Sequence, residues 1–100
     1  MSVVWSKDAV RNLIAIGVRA AALTGTDGSS RLLERIVMRS DQIDQFPLSG
    51  RFVPEFAFTQ VREVIESDYR ILYHVLPDRI EILAVVHGSM DLGSMASSFT

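Results

Sequence analysis

Apolar and polar positions along the chain change period from stretch to stretch, and each change marks an element. Met1-Ser2-Val3-Val4-Trp5 is short, apolar and β-branched, which predicts a first strand. Ser6 then stands where an N-cap belongs, and Asp8 falls in the first turn, where a negative charge favours the helix dipole. Val10, Leu13, Ile14, Gly17, Val18 and Ala21 recur at helical spacing, with Arg11, Asn12 and Arg19 off that stripe, so a first helix is expected from Lys7 to Leu23. Its last residues, from Arg19 to Leu23, are mostly small and admit a close helical neighbour. In the breaker from Thr24 to Ser30, Gly25 can end the first helix and Asp27, Ser29 or Ser30 can cap the next. The second helix is expected from Ser30 to Gln45, with Leu32, Leu33, Ile36, Val37 and Ile43 inward and Arg31, Glu34, Arg35, Arg39 and Asp41 outward. So short a connection makes the two an antiparallel hairpin.

The segment from Phe46 to Arg51 ends the second helix, and an aromatic loop follows through Phe52, Pro54, Phe56 and Phe58. Strands are expected at Val61–Glu66, Tyr69–Val75 and Arg79–His87, with Ser67-Asp68 and Pro77-Asp78 as turns. An unbroken register from the second turn puts Val75 opposite Ile80 and Tyr69 opposite Val86. One side then carries Tyr69, Ile71, Tyr73, Val75, Ile80, Ile82, Ala84 and Val86, all core material. The other carries Arg70, Leu72, His74, Glu81, Leu83, Val85 and His87. The Ser67-Asp68 turn leaves two choices: a two-residue loop sets Glu63 and Ile65 beside Arg70, whereas a bulged turn sets Glu66 and Arg62 there. The fold class is therefore α+β, in the order β-α-α-β-β-β, with a helical hairpin on one face of a small, mainly antiparallel sheet.

Composition narrows what such a domain can do. The 100 residues suit one domain, 48% of them are apolar, and the absence of cysteine removes disulfides, thiol catalysis and the common structural zinc sites. Ten basic residues against twelve acidic ones argue against a broad electrostatic grip on nucleic acid. No apolar run reaches membrane-spanning length and the start is no signal peptide, so a cytoplasmic protein without membrane contact is expected. The mean hydropathy of +0.23 is high for so small a chain, and implies apolar side chains reserved for a partner. Apart from Lys7 every basic residue is Arg, the better residue for desolvated contacts. No nucleotide-binding glycine pattern, metal spacing or nucleophile elbow is present, so neither metal nor cofactor is implied. The polar content of the second sheet face has two readings. It is an ordinary solvated face with a His74–Glu81 pair, or a shallow site where Arg70 holds an anion, His87 exchanges a proton and Glu55 reaches in from the aromatic loop, a trio that would suit RNA cleavage.

Several stretches together resemble a known family. Trp5-Ser6-Lys7-Asp8-Ala9, the run from Ile43 to Arg51, Val61-Arg62-Glu63-Val64, Tyr69-Arg70-Ile71-Leu72-Tyr73 and the run from Arg79 to Asp91 are similar, in order and spacing, to the ParE/RelE-type toxins of bacterial toxin–antitoxin pairs. The likeness covers residues 1–92, a single domain, and leaves 93–100 as a flexible tail. It implies a toxin that arrests growth until a cognate antitoxin wraps it. The ParE branch acts on DNA gyrase and the RelE branch cuts mRNA on the ribosome. One lysine and an acidic balance favour ParE, which needs a surface and no catalysis of its own. On that resemblance the toxicity surface is expected among Arg62, Tyr69, Arg70, His87, Met90 and Asp91. A ParD-like antitoxin is expected on Leu13, Gly17, Ala21, Leu32 and Ile36. The alternatives are a RelE-type endonuclease using Arg70, His87 and Glu55, and a degenerate, non-toxic partner-binding domain.

Overall fold

The computed structural model describes residues 1–56, 59–93 and 95; Phe58 of the aromatic loop and most of the expected tail lie outside the described residues. The elements are β1 (Ser2–Trp5), α1 (Lys7–Gln42), β2 (Arg51–Phe52), a 3-10 turn (Pro54–Phe56), β3 (Arg62–Glu66), β4 (Tyr69–Val75) and β5 (Arg79–His87). The sheet order is β1-β5-β4-β3-β2, with β1 parallel to β5 and the remaining pairs antiparallel.

Ser6 caps α1 as its position suggests, its hydroxyl accepting from the Ala9 amide at 3.1 Å. The two expected helices form one hydrogen-bonded element broken at Gly25, whose φ of 80° and ψ of 173° are not helical. The chain reverses there. The Ser29 hydroxyl donates to the Gly17 carbonyl at 2.7 Å, although twelve residues of straight helix would hold them about 18 Å apart. A Cβ on Gly17 would approach Leu33 Cδ1 to 2.9 Å, so this glycine lets the two arms touch. The second arm resumes directly after Gly25 and ends at Gln42, which places Ser29 and Ser30 inside it rather than at a cap. Gly25 sits in a region of backbone space that is essentially glycine-only. Gly25→Ala is therefore expected to cost about 1–3 kcal/mol in a urea melt, although a Cβ there would meet nothing within 4 Å.

One sheet face packs under α1. Ala9, Ile16, Ile36 and Ile43 meet Val64, Ile71, Tyr73, Ile80, Ile82 and Val85, flanked by Val3, Trp5, Leu13, Leu32 and Leu33. The inward side of the first arm is thus Ala9, Leu13 and Ile16, while Val10, Ile14 and Val18 of the expected stripe are exposed. Apolar residues nearly encircle this arm, so their periodicity alone cannot choose its buried side. The other sheet face is not an ordinary solvated one. Val53, Phe56 and Leu92 cover it, packing on Val61, Leu72, Ala84 and Val86. Tyr73 ties the sheet to the segment after α1: its buried hydroxyl accepts from the Gly50 amide and donates to the Pro47 carbonyl, each at 2.9 Å. Burial pushes that hydroxyl's pKa up, so it stays a donor.

The β4–β5 register departs from the unbroken one. Val75, His74 and Tyr73 face Ile80, Glu81 and Ile82 as expected; beyond them Leu72 faces Ala84, Ile71 faces Val85, Arg70 faces Val86 and Tyr69 faces His87. Leu83 is the extra residue of a β-bulge. Its carbonyl accepts from the Ser6 hydroxyl at 3.0 Å, and the Val85 amide donates to Asn12 Oδ1 at 3.0 Å. The start of α1 thereby satisfies the backbone groups that the bulge removes from the ladder. Ala84 and Val86 consequently move to the second face, and Val85 and His87 to the helix side.

Candidate functional site

The polar residues of the second face are drawn into one ionic cluster. The Ser67-Asp68 turn is the two-residue version, with Ser67 at a φ of 53°, and it sets Ile65 opposite Arg70 and Glu63 opposite Leu72. Glu63 and Arg70 therefore share a face. Arg70 Nε and Nη2 donate to the two oxygens of Glu63, each at 2.6 Å. The 3-10 turn brings Glu55 to the other edge of the guanidinium, which donates to it from Nη1 at 2.7 Å and from Nη2 at 2.9 Å. Arg51, delivered by β2, lies 3.3 Å from Glu63 through Nε. Arg70 and Glu63 are only 6% and 2% exposed. Four guanidinium N–H bonds go to two carboxylates, which is the planar fork–fork geometry in which Arg–carboxylate pairs are strongest.

The cluster sets its own titration. Arg70's hydrogen bonds hold the Glu55 carboxyl down at about 2, against partial burial, which would raise it. The two carboxylates in turn push Arg70 further up. Glu55's contribution to stability is present above its ordinary pKa of 4.5 and is lost as pH falls from there toward about 2. Because a third of its side chain is exposed, the expected loss is screened to about 1 kcal/mol. A urea midpoint that falls between pH 4.5 and 2 in the parent, and falls less in Glu55→Gln, checks this.

The bulge separates the residues of the nuclease alternative. His87 lies on the helix side with Tyr69, their rings edge to face at 5.5 Å, while Arg70 points to the opposite side of β4. His87 Nδ1 accepts from the Ser89 amide at 3.2 Å and lies 2.6 Å from the Ser89 hydroxyl. His87 and Arg70 still border one shallow cleft of about 240 Å³ at the β3–β4 turn. The guanidinium, however, is spent on Glu55 and Glu63.

Tyr69, rather than Arg70, is where the surface opens. It borders that cleft and two larger ones. The first, of about 450 Å³, runs between the arms of α1 and the β3–β4 turn and is lined by Arg19, Arg31 and Arg35. The second, of about 250 Å³, lies between the first arm and the end of β5 and is lined by Ile16, Arg19, His87, Met90 and Met95. Of the expected toxicity residues, Tyr69, His87 and Met90 come together here. Asp91 lies next to them in sequence, accepting from the Gly93 amide at 2.9 Å. Arg62 is elsewhere, its guanidinium 4.1 Å above the Phe52 ring and bonded to the Leu48 and Gly50 carbonyls.

The residues expected to meet an antitoxin are largely committed to packing. Gly17 and Ile36 are buried, and Leu13, Ala21 and Leu32 are half-buried. The first arm instead presents Val10, Ile14 and Val18, which are 42%, 61% and 68% exposed. Sequence reasoning also missed the arginine groove. The spacing of Arg31 and Arg35 puts them on one side of a helix, but only the reversal at Gly25 brings Arg19 to them.

Over residues 3–92 the sequence matches the family model described as the ParE toxin of type II toxin-antitoxin system, parDE. No curated protein matches it significantly. Among solved structures it is similar to a chain of a chromosomal ParDE toxin–antitoxin system from P. aeruginosa. That match has a TM-score of 0.73 and 22% identity, covering 87% of this chain and 95% of that one. It is also similar to a chain of the toxin–antitoxin complex RelBE2 from Mycobacterium tuberculosis, with a TM-score of 0.63 and 20% identity over 86% and 95% of the two chains. At such identities these two likenesses speak to the fold alone.

Proposed function

The chain belongs to the ParE family of type II toxin–antitoxin toxins, and from that premise we propose that it acts in the cytoplasm by inhibiting DNA gyrase and is neutralised by a ParD-like antitoxin. One observation carries the choice of a binding mode over RNA cleavage. Arg70, the group a nuclease would offer to phosphate, already gives four N–H bonds to Glu55 and Glu63. A phosphate would have to displace a buried, doubly forked ion pair, losing charge-assisted bonds as strong as those it gained. Glu55, which the nuclease reading adds to His87 as a second acid/base group, is bound into the same ion-pair cluster and is held ionised to about pH 2. A gyrase inhibitor requires only a surface, and the clefts that meet at Tyr69, one of them lined by His87 and Met90, supply one.

The deciding experiment is supercoiling by purified gyrase with and without the full chain. Supercoiling is expected to fall with added chain and to recover when the antitoxin is added. Unchanged gyrase, together with cut transcripts in arrested cells, would overturn this in favour of the ribosome-dependent endonuclease. Cells that grow normally while making the folded protein would point to a non-toxic binding domain.

A further inference from the structure

We propose that the groove between the two arms of α1 and the β3–β4 turn docks an acidic peptide segment that also carries apolar side chains. This rests on the antitoxin reading for the origin of the segment, but the chemistry stands on the groove itself. Arg19, Arg31 and Arg35 line it, with Asp68 as the only carboxylate among the described residues. None of the three arginines is ion-paired among the described residues, whereas Arg11, Arg51, Arg70 and Arg79 all are. Three unneutralised guanidinium groups in one concavity of an acidic protein select an anionic occupant.

The rest of the lining decides which anion. Leu23, 75% exposed, borders the arginines. Through Arg19 and Tyr69 the groove continues into the cleft holding Ile16 and Met90. Inorganic phosphate would satisfy the guanidinium groups and leave this apolar surface wet. A nucleic acid would meet a chain of net charge −2. A segment with carboxylates for the arginines and apolar side chains for Leu23 and the methionine-lined cleft covers both parts. Arginine suits this role because its planar fork pairs with carboxylates while its stem stays in contact with apolar neighbours.

The test uses the full chain and a fluorescein-labelled peptide of glutamate and leucine, with a lysine–leucine peptide as control. The glutamate–leucine peptide is expected to bind, more weakly as salt rises, and the lysine–leucine peptide not to bind. The paired variant Arg31→Glu/Arg35→Glu is expected to raise its Kd by about tenfold or more. Lys7→Glu/Arg11→Glu, outside the groove, is expected to leave Kd unchanged, and circular dichroism melts verify that both variants fold. Equal binding by the folded groove variant, no binding by the parent, or displacement of the peptide by millimolar phosphate would each overturn the proposal. A parallel pull-down with the cognate antitoxin separates the two readings. Retention by the parent and loss by the groove variant supports the assignment. Equal retention by both overturns the groove while leaving the antitoxin in place. Failure of the parent to retain the antitoxin overturns the antitoxin reading instead, and the peptide result still judges the groove.

Discussion

Arg70→Ala is expected to cost about 3–5 kcal/mol of folding stability, because it strands a buried carboxylate. Glu63 is 2% exposed and takes both of its strongest bonds from Arg70. Arg51, at 3.3 Å and largely exposed, can compensate only part of the loss. The same substitution frees Glu55 and with it the tie between the 3-10 turn and β4. Against a total stability of roughly 5–15 kcal/mol for a domain of this kind, the variant is expected to be partly unfolded at 37 °C. Urea melts at pH 7 check this, with the midpoint falling and the slope unchanged. Glu55→Gln, which leaves the Glu63 fork intact, is expected to lose only about 1 kcal/mol. His87→Ala, at an exposed position, is expected to stay within about 0.5 kcal/mol of the parent. An Arg70→Ala variant as stable as the parent would show that the cluster does not hold the second face. Loss of toxicity in Arg70→Ala therefore reports on folding, and His87→Ala is the informative probe of nuclease chemistry.

Gly50→Ala is expected to be nearly as damaging, at about 3 kcal/mol, for a reason that has nothing to do with backbone freedom. A Cβ at this position would overlap the Tyr73 hydroxyl and stand 2.6 Å from the Glu63 carbonyl and 2.8 Å from Tyr73 Cε1. Neither neighbour can yield, since Tyr73 is fully buried and the carbonyl belongs to a central strand. The ring would have to move, breaking its bonds to Gly50 and Pro47 and loosening the chain between α1 and β2. Tyr73→Phe separates the two effects: it removes the hydroxyl without adding bulk and is expected to cost about 1–2 kcal/mol through the unpaired Gly50 amide. A thermal melt of Gly50→Ala matching that of Tyr73→Phe would mean that the close approach is relieved cheaply.

Much of this architecture was legible because it is local. Ser6 as N-cap, Gly25 as the break and the two-residue turn at Pro77-Asp78 depend on residues close together in sequence, as does the place of the Ser67-Asp68 turn, whose two-residue form only the pairing of β3 with β4 decides. Strands β4 and β5 have the expected bounds for the same reason. The two-residue strand β2 went unread because so short a segment has no period, and only its pairing with Arg62 and Glu63 makes it a strand. The candidate site was half legible. Tyr69, His87 and Met90 do line one cleft, and Glu55 does reach Arg70, to which it is ion-paired.

By itself the sequence determined the order of the long elements, the hairpin, the mixed apolar and arginine-rich character and the family. Each of these follows from short-range spacing or from ordered motifs. Tertiary structure alone decided which side of the first arm is buried, because that arm is apolar nearly all round and its side is chosen by what β5 and the second arm present. It also decided where His87 points. Alternation has no mark for an extra residue, and Leu83 becomes the bulge because Ser6 and Asn12, more than seventy positions earlier, are placed to satisfy its backbone. Arg70 met the same outcome: a lone arginine on a strand reads as free to bind an anion, until folding brings two carboxylates within 3 Å of it.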